Sequence, residues 1–150
     1  MKQLGPGAPA PDFELNGLNG KVFRLSTLME DGPLTLVFYK ASCPTCQLAL
    51  PYLQRIHGGG ARLLLVSQDD PGETRAFLKH FGLTMDAAID EHPYDVSNAY
   101  GVHHVPALFT VGSDGRIQLS DYGFSKETIS TVAGHEMFRP DDGIPATRPG

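Results

Sequence analysis

The sequence predicts an α/β domain built as a three-layer sandwich: a mixed central sheet flanked by helices, with a β-hairpin in front of it. Three observations carry this expectation. Two continuous apolar runs of strand length, Leu34–Tyr39 and residues 63–66, each lead into a helical pattern, as strands of a parallel sheet buried on both faces do. A later pair of strand-like runs, Ala107–Val111 and residues 116–119, flanks Ser113-Asp114-Gly115, so the sheet closes with an antiparallel hairpin. At 150 residues and 41% hydrophobic, the chain is long enough for one full core. No apolar run approaches the roughly 20 residues of a membrane span.

The elements follow in order. Residues 1–11, rich in Gly, Pro and Ala, read as an extended lead-in. Phe13-Glu14-Leu15 and Val22-Phe23-Arg24-Leu25 alternate on either side of Asn16-Gly17 and Asn19-Gly20, the pattern of a hairpin. From Pro44 to about His57, apolar residues at Leu48, Ala49, Leu50, Leu53 and Ile56 recur at helical spacing, and Gly58-Gly59-Gly60 ends the run. Asp70-Pro71-Gly72-Glu73 offers an N-cap, a proline at the first helical position and Glu at the third, opening a helix that stops at Gly82. A short strand at Ala87-Ala88-Ile89 and a short helix over about residues 94–100 come next. Ser125 caps a last helix to about Met137, with Phe124 and Ile129 as a hydrophobic staple. The domain therefore covers residues 1–138, and residues 139–150, rich in Pro and Gly, are expected as a loose tail.

Twelve basic against seventeen acidic side chains give a net charge of -5, which argues against nucleic acid and anionic membranes as partners. The residues 1–15 contain no apolar core of a secretory signal, so a cytoplasmic location is expected, or export if a targeting segment has been removed. There are two cysteines, in Cys43-Pro44-Thr45-Cys46. A disulfide scaffold needs more of them, and a bridge across so short a loop restrains little chain entropy. A four-ligand zinc site commonly uses two such pairs. Reversible redox chemistry is the remaining common use of CxxC. Cys43 falls where a buried strand gives way to a helix, and the unsatisfied N–H groups and dipole there favour a thiolate, the nucleophilic form. Pro44 costs nothing at the first helical position. Lys40 could add positive charge, or be a solvated surface lysine. Cys46, one turn into the helix, is placed to attack a mixed disulfide on Cys43. Cys43 is thus assigned as nucleophile and Cys46 as resolving thiol.

With these features the chain resembles the thioredoxin-like superfamily over roughly residues 8–138. Within it, the resemblance is to the branch of alkyl hydroperoxide reductase/thiol-specific antioxidant proteins and the disulfide reductases of cytochrome maturation. Beside the strand-then-CPTC arrangement it rests on Ala10-Pro11-Asp12-Phe13, Pro51, Tyr100-Gly101-Val102, Val105-Pro106 and Ser113-Asp114-Gly115-Arg116-Ile117. The resemblance implies that Pro51 kinks the active-site helix. It also implies that Pro106 follows a cis bond and lies against the cysteines, where Val105, Pro106, Pro44 and Thr45 would bind an extended substrate. It implies protein or small-molecule disulfide and thiol substrates and an external thiol reductant, with no organic cofactor and no metal. Three departures stand out. Ser42 replaces the aromatic common before the first Cys, and Val37 and Ala49 stand where relatives place a buried acid. His104, or less favourably His103, could serve as the substitute proton carrier; the alternative is that both are loop histidines without a role.

Two other functions compete with this one. Peroxiredoxins need Thr or Ser three residues before the peroxidatic Cys and Pro four before that, whereas Cys43 has Lys40 and Leu36, and Cys46 has Cys43 and Tyr39. Cys43, Cys46 and one histidine could instead bind copper or zinc without catalysis. Asp69-Asp70 reads as cap and turn, and Phe38 and Tyr39 as core.

Overall fold

The computed structural model describes all 150 residues, Met1–Gly150. The chain opens with the hairpin β1 (Glu14–Asn16) and β2 (Val22–Arg24), with Leu15 opposite Phe23, followed by the short helix α1 (Leu25–Leu28). The central sheet then forms from β3 (Leu34–Tyr39), and helix α2 (Pro44–Gly58) crosses to β4 (Leu63–Ser67). Helix α3 (Pro71–Phe81) crosses to β5 (Ala87–Ile89), and α4 (Asp95–Ala99) precedes β6 (Ala107–Val111) and β7 (Ile117–Tyr122). The strand order is β5-β4-β3-β6-β7. β3, β4 and β5 pair parallel, while β6 and β7 pair antiparallel, as the early crossovers and the closing hairpin predict.

Alternation along β3 divides the interior into two cores. Leu36 and Phe38 join Phe13, Phe23, Tyr100 and Phe109 under the hairpin and α4. Val37 and Tyr39 face the other way, onto Cys46, Leu50, Leu53 and Phe77 from α2 and α3. All six residues of β3 are buried, which is why that strand reads as an unbroken apolar run. Phe38 and Tyr39 are core, both with no exposure.

Two sequence expectations change, and one support of the fold is new. The last helix, α5 (Lys126–Ala133), starts as predicted from Ser125, but it stops at a left-handed Gly134 rather than reaching Met137. The chain folds back there, and the Met137 N–H donates to Ser130 Oγ at 3.1 Å. α4 is held by a group not anticipated from the sequence: the buried Asp90 carboxylate accepts from Val96 N, Ser97 N and Ser97 Oγ at 3.2, 2.7 and 2.7 Å. Finally, residues 139–150 do not form a loose tail. Lys126 Nζ pairs with Asp142 at 2.7 Å, and β9 (Thr147–Arg148) pairs antiparallel with β8 (Phe124–Ser125). Apart from half-buried Asp142 and Ile144, their side chains stay exposed while the backbone is engaged, so composition alone gives no sign of it.

Candidate active site

The site sits at the carboxyl ends of β3 and β4, where adjacent parallel strands release their chains on the same edge of the sheet. β3 ends at Tyr39 and α2 begins at Pro44, leaving Lys40–Ser42 to turn the chain. Cys43 is the N-cap of α2, and its Sγ accepts from the Cys46 N–H at 3.2 Å, so one of the four orphan donors of the helix start is spent on that sulfur. Its thiol also donates to the Val105 carbonyl at 3.4 Å. Cys43 is half-buried, Pro44 is exposed as the first residue of α2, and Cys46 has no exposure at all. Both cysteines are free thiols.

Cys46 differs from Cys43 in its surroundings. Burial pushes the Cys46 thiol far up from its ordinary range, and the neighbouring Cys43 and Asp69 add to that, while a hydrogen bond from the Lys40 backbone pulls the other way. At neutral pH Cys46 is therefore a protonated, sheltered thiol. Val37 and Ala49 are buried and apolar, so neither family acid position is filled.

A buried acid does lie nearby, at a position that reads in the sequence only as cap and turn. Asp70 is the cap of α3, accepting from Glu73 N at 2.8 Å as expected. Asp69, only 6% exposed, instead accepts from Ala41 N at 2.7 Å and so clamps the loop that carries Cys43. One signal could have found it: Ala41 and Asp69 each lie two residues past the ends of paired parallel strands, Tyr39 opposite Ser67. Gln47 Nε2 closes the same loop from the helix side by donating to Ala41 O at 2.9 Å.

The remaining predicted residues divide. Val105 precedes a cis Val105-Pro106 bond, and its carbonyl meets Cys43, as the resemblance implies. Thr45 is buried, and its hydroxyl donates to the Pro149 carbonyl at 2.7 Å. Lys40 stands over the Tyr94 ring, 5.8 Å from its centroid. His103 and His104 are exposed; the His103 ring bonds the Met1 carbonyl, and the His104 ring stacks on Tyr122 with centroids 5.0 Å apart. Neither ring hydrogen-bonds a cysteine. No three His, Cys, Asp or Glu side chains converge as a metal-ligand set, so the two thiols do not extend into one.

The chain is similar to known proteins in sequence and in fold. The AhpC/TSA family model matches residues 6–120. Thiol-disulfide oxidoreductase ResA of Geobacillus thermodenitrificans is 32% identical over 117 residues, covering 75% of this chain and 66% of that protein. Thiol:disulfide interchange protein DsbE of Escherichia coli is 25% identical over 120 residues, covering 78% and 65%. The chain thus spans just under two thirds of the length of these curated relatives. Among solved structures, the thioredoxin domain of a thiol-disulfide oxidoreductase from Bacteroides vulgatus superposes with a TM-score of 0.76 at 19% identity, over 87% of this chain and 97% of that one. That likeness shows the fold, the thioredoxin-like sandwich expected from the sequence. No helix is long and apolar enough to cross a membrane.

Proposed function

The chain belongs to the AhpC/TSA family, and from that membership we propose that it is a thiol-disulfide oxidoreductase, with Cys43 as nucleophile and Cys46 as resolving thiol. The observation that carries this reading is the contrast between the two sulfurs. Cys43 is reachable and receives an N–H at the helix start, whereas Cys46 is fully buried one turn later and held protonated.

The Cys43 thiolate attacks one sulfur of a substrate disulfide; that S–S bond breaks, and the other substrate sulfur leaves as a thiolate. Cys46 then gives its proton to that departing thiolate and attacks Cys43 Sγ. The mixed disulfide breaks, the second substrate thiolate is released, and a Cys43–Cys46 disulfide remains. An external thiol donor restores the pair with two electrons. Val105, Pro106, Pro44 and Thr45 frame the face on which the substrate lies. The His104 ring stacks on Tyr122 and hydrogen-bonds neither cysteine, so the reading of both histidines as loop residues fits the geometry better. A redox-active pair of this kind operates in a reducing cytoplasm when a thiol donor keeps it reduced.

The test is reduction of a polypeptide disulfide by a thiol donor with and without the protein. Catalysis is expected to vanish in Cys43→Ser, and Cys46→Ser is expected to accumulate a mixed disulfide detectable by mass. An undiminished rate in Cys43→Ser refutes the assignment, and fast turnover of hydrogen peroxide with poor disulfide reduction would favour a peroxidase.

A further inference from the structure

Residues 146–150 run across the face that the proposed function gives to the substrate. Three sets of contacts hold them there. The Pro149 carbonyl accepts from Thr45 Oγ1 at 2.7 Å, inside the CPTC motif. Arg148 and Thr147 pair with Phe124 and Ser125, and the Ala146 carbonyl accepts from Lys126 N at 3.0 Å. Gly150 packs on the Val105 carbonyl so closely that a Cβ there would overlap its oxygen, and this is the carbonyl that meets the Cys43 thiol. Gly123 completes the fit: its N–H donates to the Pro106 carbonyl at 2.8 Å, and a Cβ on it would lie 2.6 Å from the Arg148 carbonyl. Every side chain from Ala146 to Pro149 is exposed, so the segment is engaged through its backbone, as a strand added to a sheet edge is.

We propose that residues 146–150 act as a built-in pseudo-substrate strand, occupying the groove of Thr45, Val105 and Gly123 until an extended polypeptide carrying the substrate disulfide displaces it. This rests on the oxidoreductase reading for the identity of the groove. Backbone contacts discriminate little between sequences, so the groove accepts an extended polypeptide by the same bonds. The segment buries no side chain of its own, which makes exchange easy. A strand that covers the groove about nine-tenths of the time weakens apparent substrate affinity about ten-fold.

Gly150→Val forces the segment off Val105 without touching a cysteine, and removal of residues 146–150 deletes it while keeping Asp142 and Ile144. Each is compared with the full chain in two assays: steady-state reduction of insulin, and alkylation of reduced Cys43 by iodoacetamide. The expected result is a KM for insulin lowered about ten-fold with kcat within two-fold, and alkylation of Cys43 at least about three-fold faster in both variants. Unchanged alkylation in both variants overturns the proposal whatever insulin turnover shows, and unchanged KM in variants that turn insulin over overturns it too. Faster alkylation without insulin reduction by any form upholds the covering strand and removes the oxidoreductase reading instead.

Discussion

Replacing Asp69 by Ala removes the acceptor that ties the Cys43 loop to the end of β4. The bond lost is a charge-assisted one of 2.7 Å to Ala41 N, with the carboxylate 6% exposed, so little water takes its place. An N–H left without a partner at such a site costs about 1–3 kcal/mol, and removal of the buried charge returns part of its desolvation cost, so about 2 kcal/mol is expected. For a domain of this size that corresponds to a fall in Tm of about 4–8 °C. Asp69→Asn keeps an oxygen at the same reach and should lose less than about half as much. Thermal unfolding of the reduced protein followed by circular dichroism reads both. The chemistry adds a second signature. Asp69 is one of the charges that raise the Cys46 thiol, so both variants should move the pH dependence of the resolving step to lower pH. An unchanged Tm in Asp69→Ala, or Asn as damaging as Ala, refutes the clamp.

Other outcomes follow from the same geometry. Because burial raises the Cys46 thiol in the folded state, its stabilisation is complete below the unfolded thiol's pKa of roughly 8.5 and is lost as pH climbs from there toward the folded value. Above that point the unfolded chain ionises first, so the reduced protein should lose up to about 1.4 kcal/mol per pH unit, and Cys46→Ala should flatten that decline in denaturant titrations at pH 8–10. Iodoacetamide at pH 8 should modify Cys43 and spare Cys46, as peptide mass mapping would show; equal labelling would contradict their unequal burial. His104→Ala should leave the pH–rate profile of thiol exchange unchanged, since its ring rests on Tyr122; a lost or displaced limb would restore it as proton carrier.

Local signals carried most of the fold. β3 and β5 start and stop where their apolar runs do, and α3 spans the interval from the Asp70 cap to the Gly82 stop. The CPTC pair was legible because it follows a buried strand and opens a helix, whereas Val105 and Pro106 were named only through the family resemblance. What stayed hidden depends on contacts between segments far apart in sequence. Asp69 and Ala41 are 28 residues apart, and Thr45 and Pro149 are 104 apart. Neither bond leaves a periodic trace. A Pro- and Gly-rich composition also reads as looseness even when, as at residues 146–150, the backbone itself makes the bonds.

Equilibration of the protein in glutathione redox buffers, with the Cys43–Cys46 state read by acid trapping and mass, tests the central claim most directly. The pair should convert between dithiol and internal disulfide as a two-electron couple, with a midpoint between about -270 and -120 mV. A protein that takes up glutathione at Cys43 yet never forms the Cys43–Cys46 bond, at any poise, would contradict the resolving role of Cys46 and with it the proposed cycle.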